Sequence, residues 1–312
     1  MVQQPWYGID GYDILLDRMH KIADDKECLQ KKSVGLNQFM VDAARRVLLL
    51  VKTLGIIGIT IKQKLAYRGA LWFGSVATAA SILIYYFLWH AVFSESAVID
   101  GYTFQMMITY IIIARVLASQ FFNGINLTLA DWIRDGDIAT ELLRPIGILR
   151  SLFALRIGEF FQFAVFKLIP ITLVAALILG ASPPAGGIYF LLFVINIFAA
   201  LVLLFFFEVL VGTLAFYTLE YYAVRFAKDA ALTILSGGLV PLFLFPEWLQ
   251  AIFRFLPFQH LVAGPIEIYL GVLHYTQALW SLANLGVWIL VMMLISLLFF
   301  KTAMKKVVVQ GG

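Results

Sequence analysis

What most limits the fold of this chain is a series of long apolar runs, each close to the ~20 residues a helix needs to cross a hydrocarbon core of ~30 Å. The first runs from Ala70 to Phe93 and the second from about Tyr102 to Phe122. A third covers roughly Leu155 to Leu179, a fourth Ile188 to about Leu214, a fifth ends near Phe245, and the last runs from Ala278 to Phe300. Backbone N–H and C=O groups find no water inside a bilayer, so such runs are stable there only as helices. The predicted fold class is an all-α integral membrane protein with six transmembrane helices. The first run lies too far from the N-terminus, and is too long, for a cleavable signal peptide. The Pro-Gly stretch from Ser182 to Gly187 reads as a tight turn that makes the third and fourth spans a hairpin.

Charge fixes the expected orientation. Only 13% of the 312 residues are charged and 62% are hydrophobic, where a soluble domain has about a quarter of its residues charged. The formal charge of +4 does not signal nucleic acid, because Lys and Arg cluster beside the apolar runs. Eleven of them precede residue 70; Arg134, Arg144 and Arg150 sit in the second connection, Arg225 and Lys228 in the fourth, and Lys301, Lys305 and Lys306 follow the last run. The opposite loops hold only Arg254. Basic loops stay in the cytoplasm, so Ser94–Gly101, Ser182–Gly187 and Pro246–Gln277 are expected outside and both termini inside. The one cysteine, Cys28, excludes an intrachain disulfide framework and a cysteine metal cluster.

Residues 1–35 are polar and read as a cytosolic extension, with a short amphipathic helix around Ile14–Ile22. Residues 36–69 mix apolar side chains with Arg45, Arg46, Lys52, Lys62, Lys64 and Arg68. That mixture suits a helix lying in the membrane surface with its basic side toward lipid phosphates. The alternative, a seventh span over Val47–Ile61, is short and interrupted by Lys52. Residues 70–306 form the six-span domain, and 307–312 a cytosolic tail.

The connection over about 131–146 has helix punctuation. Gly136 breaks the preceding helix, Asp137 offers a side-chain oxygen to cap a new one, and Pro145 prevents its continuation. Ile138, Leu142 and Leu143 are expected on one face, with Glu141 and Arg144 flanking. So short a helix is unstable alone in water and needs membrane or protein to lie against; a plain interfacial helix fits the spacing equally well. In the outer stretch, about 246–277, Pro246 suits the first position of a helix. Trp248, Ile252 and Phe255 then share a side, and Pro257 ends the helix. Ionisable groups within spans are costly unless paired or hydrated. At 1.5 Å per residue, Arg115 and Lys167 lie roughly 20 Å below the outer surface and Glu159 and Glu208 roughly 30 Å below it. The expected pairing is Arg115 or Lys167 with Glu159 or Glu208, against independent snorkelling of all four.

Leu142-Leu143-Arg144-Pro145 after an acidic-Gly stretch joins several other strings: Tyr67-Arg68 before the first span, Ser236-Gly237-Gly238-Leu239-Val240-Pro241 with Phe245-Pro246, and Leu256-Pro257-Phe258 followed by Pro265 and Tyr269-Leu270-Gly271. Together, over about Leu48 to Lys306, they resemble the ABC-2 type permeases. The resemblance implies a permease subunit of an ATP-driven exporter in the cell membrane, the bacterial inner membrane, working as a pair of like or unlike permeases with two cytosolic ATPases. It makes Asp137, Ile138, Glu141, Leu142, Leu143, Arg144 and Pro145 the ATPase-coupling helix. It makes the segment holding Pro246, Trp248, Pro257 and Pro265 a re-entrant outer gate; a static cap is the alternative from the residues alone. Residues 1–35 depart from the family's usual short N-terminus.

No glycine-rich phosphate loop ending in Gly-Lys-Ser/Thr occurs, so energy must come from a partner or a gradient. On the family reading this chain is non-catalytic and has no cofactor of its own, ATP and magnesium belonging to the partner ATPase, and its further partner is membrane lipid. Two alternatives are a gradient-driven transporter, which would normally show internal repeats, and a membrane-embedded enzyme, which would need an acid–base pair or metal cluster. His90, His260 and His274 are too scattered to suggest one.

Overall fold

A computed structural model describes residue 49 and residues 51–306 apart from 64, 67, 96, 122, 123, 145 and 219, with backbone alone at 68, 70, 71 and 306. The expected extension 1–35, residues 36–48 of the expected surface helix, Pro145 and the tail 307–312 lie outside the described residues. The chain divides into two compact units, Met1–Leu54 and Gly55–Gly312. In the first, residues 51–54 are helical and the Thr53 hydroxyl donates to the Leu49 carbonyl at 2.7 Å.

The second unit is helical almost throughout. In order it holds α1 (residues 55–63), α2 (Arg68–Phe93), α3 (Phe104–Ala118), α4 (Ile125–Arg134), α5 (Ile138–Leu142) and α6 (Ile148–Phe163). There follow α7 (Ile169–Leu179), α8 (Gly187–Thr213), α9 (Tyr221–Leu235), α10 (Glu247–Phe255), α11 (Ala263–Tyr269) and α12 (Tyr275–Ala303). A π-turn over Ala164–Leu168 joins α6 to α7. Pro170 explains it: a proline has no N–H for the carbonyl four residues back and its ring crowds that carbonyl, so the turn before it widens without breaking the helix. Four helical stretches among the described residues are long and apolar enough to cross a membrane: Trp72–Phe93, Ile148–Leu179, Gly187–Phe216 and Tyr275–Ala303.

The other two expected spans take a different form. In place of a run to Phe122, α3 has 15 residues, about 22 Å at 1.5 Å per residue, and the chain leaves the helix at Ser119. The fifth span differs more. The expectation puts Arg225, Lys228 and Asp229 in a polar connection with the span following to Phe245. Instead α9 winds all three into its own turns and stops at Leu235, before Gly237 at φ +80°. Lys228 and Asp229 are buried among polar partners, so the helix has no need to keep them in water.

Among the described residues the only sheet is a two-stranded hairpin, β1 (Val98–Ile99) with β2 (Tyr102–Thr103), between α2 and α3. Asp100 and Gly101 both have positive φ, the turn that Asp-Gly favours because its twist matches the strands. The hairpin makes α2 and α3 antiparallel: Phe104 packs on Tyr86, His90 and Phe93.

Helix α8 is central and packs on α12, α4 and α11, while α2 and α7 both lie on α3. The third and fourth spans meet as the expected hairpin through α6, where Phe153 and Phe160 pack edge-on against Phe205 and Phe198 of α8, while α7 turns to α3. The turn of the hairpin is tied elsewhere: Ser182 N–H donates to Thr109 Oγ1 at 2.7 Å and Ala185 N–H to the Tyr269 carbonyl at 2.9 Å, which seats α7 and α8 on different neighbours. One end of the bundle is filled by Ile125, Leu129, Ile138, Leu152, Val209 and Phe300, the other by Leu192, Ile268 and Ala278. Helix α1 packs on the first of these ends. A Cβ at Gly158 would lie 2.9 Å from Thr60 Cβ and 3.1 Å from the Ile57 carbonyl oxygen, so this approach requires glycine.

Candidate functional site

The polar connection between α3 and α6 forms two helices set at the same end of the bundle. Gly136, at φ +83°, separates them as its sequence position predicts. Asp137 stands at the N-cap position of α5 but makes no side-chain capping hydrogen bond, and its φ of −62° and ψ of −17° are already helical. A capping aspartate needs an extended backbone for its oxygen to reach the N–H groups ahead; here Gly136 has made the bend first.

The expected apolar face of α5 is split. Ile138 is buried, but its partner one turn on is Glu141, which is 6% exposed. Leu142 and Leu143 point outward, 49% and 85% exposed. Both Glu141 and Leu142 can share a face with Ile138, three and four residues on; here Glu141 follows Ile138 inward, Leu142 is left half exposed and Leu143 turns to the surface. Arg144 approaches the buried carboxylate, Nη1 3.0 Å from Oε2. Burial pushes the Glu141 carboxyl above its usual range, with Arg144 opposing the shift.

Beneath this segment lies a cluster of buried polar groups. Arg156 of α6 is 1% exposed, its Nε 3.7 Å from Glu208 Oε2 and its Nη1 3.8 Å from Glu159 Oε2. Glu208 of α8 is fully buried and accepts from the Ile125 N–H at 3.3 Å, at the start of α4. Asn126 donates to Tyr221 Oη at 2.8 Å, and that hydroxyl donates to the Asn126 carbonyl at 2.9 Å. Lys228 Nζ donates to the Phe121 carbonyl at 2.8 Å and to Asn126 Oδ1 at 3.2 Å, and lies 2.7 Å from Asp229 Oδ1. Helices α4, α6, α8 and α9 thus meet through charge and hydrogen bonds. Close approach is built in: a Cβ at Gly124 would strike the Glu208 carboxylate, and one at Gly212 would come within 3.0 Å of the Asn126 carbonyl oxygen.

The expected pairing of Arg115 or Lys167 with these glutamates is replaced by Arg156. Arg115 is engaged elsewhere, donating from Nε to Ser81 Oγ at 2.8 Å and from Nη1 to the Gly238 carbonyl at 3.3 Å, above the Tyr85 ring. Lys167 turns toward α2, its Nζ 4.0 Å from where a Cβ on Gly74 would be. The signal for Arg156 is its placement three residues before Glu159, which gives an i,i+3 pair; starting the third span at Leu155 hides it at the border.

At the opposite end α10 has Trp248 and Phe255 well exposed and Phe253 buried. Pro246 precedes the helix at the cap position, one place before the expected first turn. Pro257 does more than end α10: it is buried and opens a further turn over Pro257–Leu261. Pro265 is buried within α11. Gln250 Nε2 holds the segment by donating to the Phe243 and Phe245 carbonyls at 2.9 and 2.8 Å. His260 is buried within 3.4 Å of Ser281 Oγ and Asn284 Nδ2, and His274 caps α12. Among the described residues no three His, Cys, Asp or Glu side chains converge as a metal site would require.

Across residues 79–311 the chain matches a family model described as ABC-2 family transporter protein. No curated protein matches it.

Proposed function

Since the chain belongs to the ABC-2 transporter family, as the membrane permease subunit of an ABC transporter, we propose that it serves an ATP-driven exporter and couples to a separate cytosolic ATPase through α5. The carrying observation is the exposure of Leu142 and Leu143 beside Arg144 at the C-terminal end of a five-residue helix. Two adjacent leucines turned to the surface at a polar end, on a helix anchored by Ile138, form a small apolar contact with a basic rim, which is the anatomy of a protein interface. A second permease, like or unlike, completes the path, which opens alternately at the interface between the two. ATP and its magnesium ion are bound by the partner ATPase.

Six crossings complete the topology, with both termini and α5 in the cytoplasm and α10–α11 as a re-entrant outer gate. Helices α3 and α9 are short for a bilayer, yet most of α3 is buried within the protein. Irregular backbone at membrane depth is tolerated where protein surrounds it, so the segments flanking these two helices can finish the crossings.

The test is to purify the tagged full-length chain from its native membrane in mild detergent and identify what accompanies it. A phosphate-loop ATPase is expected with the wild type and lost from a folded Leu142→Ala, Leu143→Ala, Arg144→Ala variant. An ATPase retained by that variant, or none with the wild type under conditions that preserve a known complex of this type, overturns the assignment.

A further inference from the structure

Between α2 and α7, both packed on α3, runs an open apolar groove of about 750 Å³, within the ~300–1,000 Å³ range of small-molecule sites. Trp72, Ser75 and Ile82 line it from α2, and Pro170, Ala175 and Leu179 from α7. Lys167 sits in the chain between the lining residues Phe166 and Pro170. It belongs to the π-turn that precedes Pro170, a local geometry that recurs at functional sites, and its ammonium passes Gly74, next to Ser75.

Lys167, like Arg115, lies outside the cluster around Arg156, and unlike Arg115 it makes no hydrogen bond to Ser81 or Gly238. Among the described residues no side chain or carbonyl accepts a hydrogen bond from it. The carboxylate of Glu159 is eight residues back on the same helix, about 12 Å away along the axis, and is held by Arg156. A lysine within a membrane helix is costly without a counter-ion or water. Its depth indicates where one would come from. Gly74 is six residues into α2, about 9 Å from the end at which that helix begins, which is the end shared with α4 and α5. The ammonium therefore reaches toward the headgroup level of the leaflet on that side; the groove extends along α7 to Leu179 and is also lined by Leu65 and Ala66, ahead of α2.

We propose that this groove binds an acyl chain of an anionic phospholipid from that leaflet, with the lipid phosphate held by the Lys167 ammonium. The charge is complementary, and Gly74 leaves room beside the ammonium. The groove's apolar lining alone selects nothing, because an acyl chain is as well accommodated by surrounding lipid as by leucine and alanine side chains. Discrimination between lipids rests on the headgroup, so Lys167 is the specificity determinant and the groove sets the geometry.

The test uses the full-length chain in nanodiscs of phosphatidylcholine doped with phosphatidylglycerol or phosphatidylcholine carrying the same photoreactive acyl chain, followed by peptide mapping. Neither ATP nor an ATPase is present, so the result does not depend on the coupling assignment. Label on α2 and α7 peptides is expected from phosphatidylglycerol at about fivefold the level from phosphatidylcholine, the size of effect one lysine has at an anionic headgroup. Lys167→Gln removes the ratio and Lys167→Arg keeps it. Ala175→Trp, which fills the groove, lowers label from both lipids while the protein stays monodisperse. Equal labelling by the two lipids, an unchanged ratio in Lys167→Gln, or label spread evenly over the lipid-facing helices overturns the proposal. So does efficient crosslinking between two copies through Val174→Cys, with Cys28→Ser as background, since a second copy would then cover the groove.

Discussion

At the end where α4 and α5 leave the bundle, charged and amide side chains from four helices are buried in contact with one another, whereas at the far end the fold is held by prolines, aromatic rings and capping residues around the buried Glu267 carboxyl. Arg156 with Glu208, and Lys228 with Asp229, pair opposite charges inside the protein. At the far end Tyr102 stacks on Phe243 with ring centroids 4.4 Å apart, and Phe245 meets Phe253 edge-on. The difference teaches how each end should respond to force. An end joined through paired charges transmits a displacement of α4 to α6, α8 and α9, because leaving any partner buried and alone is costly. An end filled by rings can shift with small changes in packing. That contrast suits an input at the first end and an opening at the second.

The largest effect should come from unpairing a charge at the first end. Arg156→Leu leaves Glu208 buried without its nearest cation, and removing one member of a buried pair costs about 3–5 kcal/mol. The expected outcome is a severe loss of folded, monodisperse protein in detergent. Adding Glu208→Leu should recover much of the loss, because two apolar groups are tolerated where one unpaired charge is not. Thermal unfolding of both variants checks this. A double variant no more stable than the single one would show that the pair is not the unit that matters.

Much of this was legible in the sequence, and the failures share a cause. Apolar runs marked α2, α8 and α12 within a few residues, because in a bilayer every backbone group must be bonded along the helix and length is set by membrane thickness. The same logic failed at α9. It assumes that charges lie outside spans, whereas Lys228 and Asp229 are neutralised within the protein. Arg156 was hidden for the same reason. Gly136 marks the break between the two helices of the polar connection, but residue type alone turns Leu143 inward, where the fold takes Glu141 instead. Exposure of a leucine is a property of which neighbours the helix meets, and one helix's own sequence does not contain them. The Asp100-Gly101 dipeptide carries the hairpin signal inside a loop too short to suggest strands of its own.

A mid-sized effect separates the Glu267 carboxyl from the ion-paired ones. Glu267 of α11 lies near Tyr102 and Tyr110, and burial raises its pKa from 4.5 to about 7, with Arg254 opposing the shift. The folded state therefore holds a proton that the unfolded chain releases between these values. Its stabilising contribution is complete below about pH 4.5, fades as pH rises to about 7, and is absent above that. The full shift corresponds to at most about 3 kcal/mol. The unfolding temperature should fall between pH 5 and pH 8, and Glu267→Gln should flatten that fall. An unchanged slope in Glu267→Gln would move the titration to another group.

The smallest effect sharpens the comparison through helix caps. Thr103 begins α3 with an extended backbone, and its hydroxyl accepts from the Met106 N–H at 3.3 Å. Asp137 occupies the equivalent place before α5 with a helical backbone and no such bond. Replacing a working cap by alanine costs about 1 kcal/mol, while a surface change that removes no contact stays within about 0.5 kcal/mol. Thr103→Ala should therefore lower the unfolding temperature measurably, and Asp137→Ala should not. If Asp137→Ala instead loses the ATPase while its unfolding is unchanged, the carboxylate belongs to the docking surface and not to the helix. Equal destabilisation by the two changes would mean that Asp137 does cap α5, and the backbone at Gly136 would then have to be extended through Asp137.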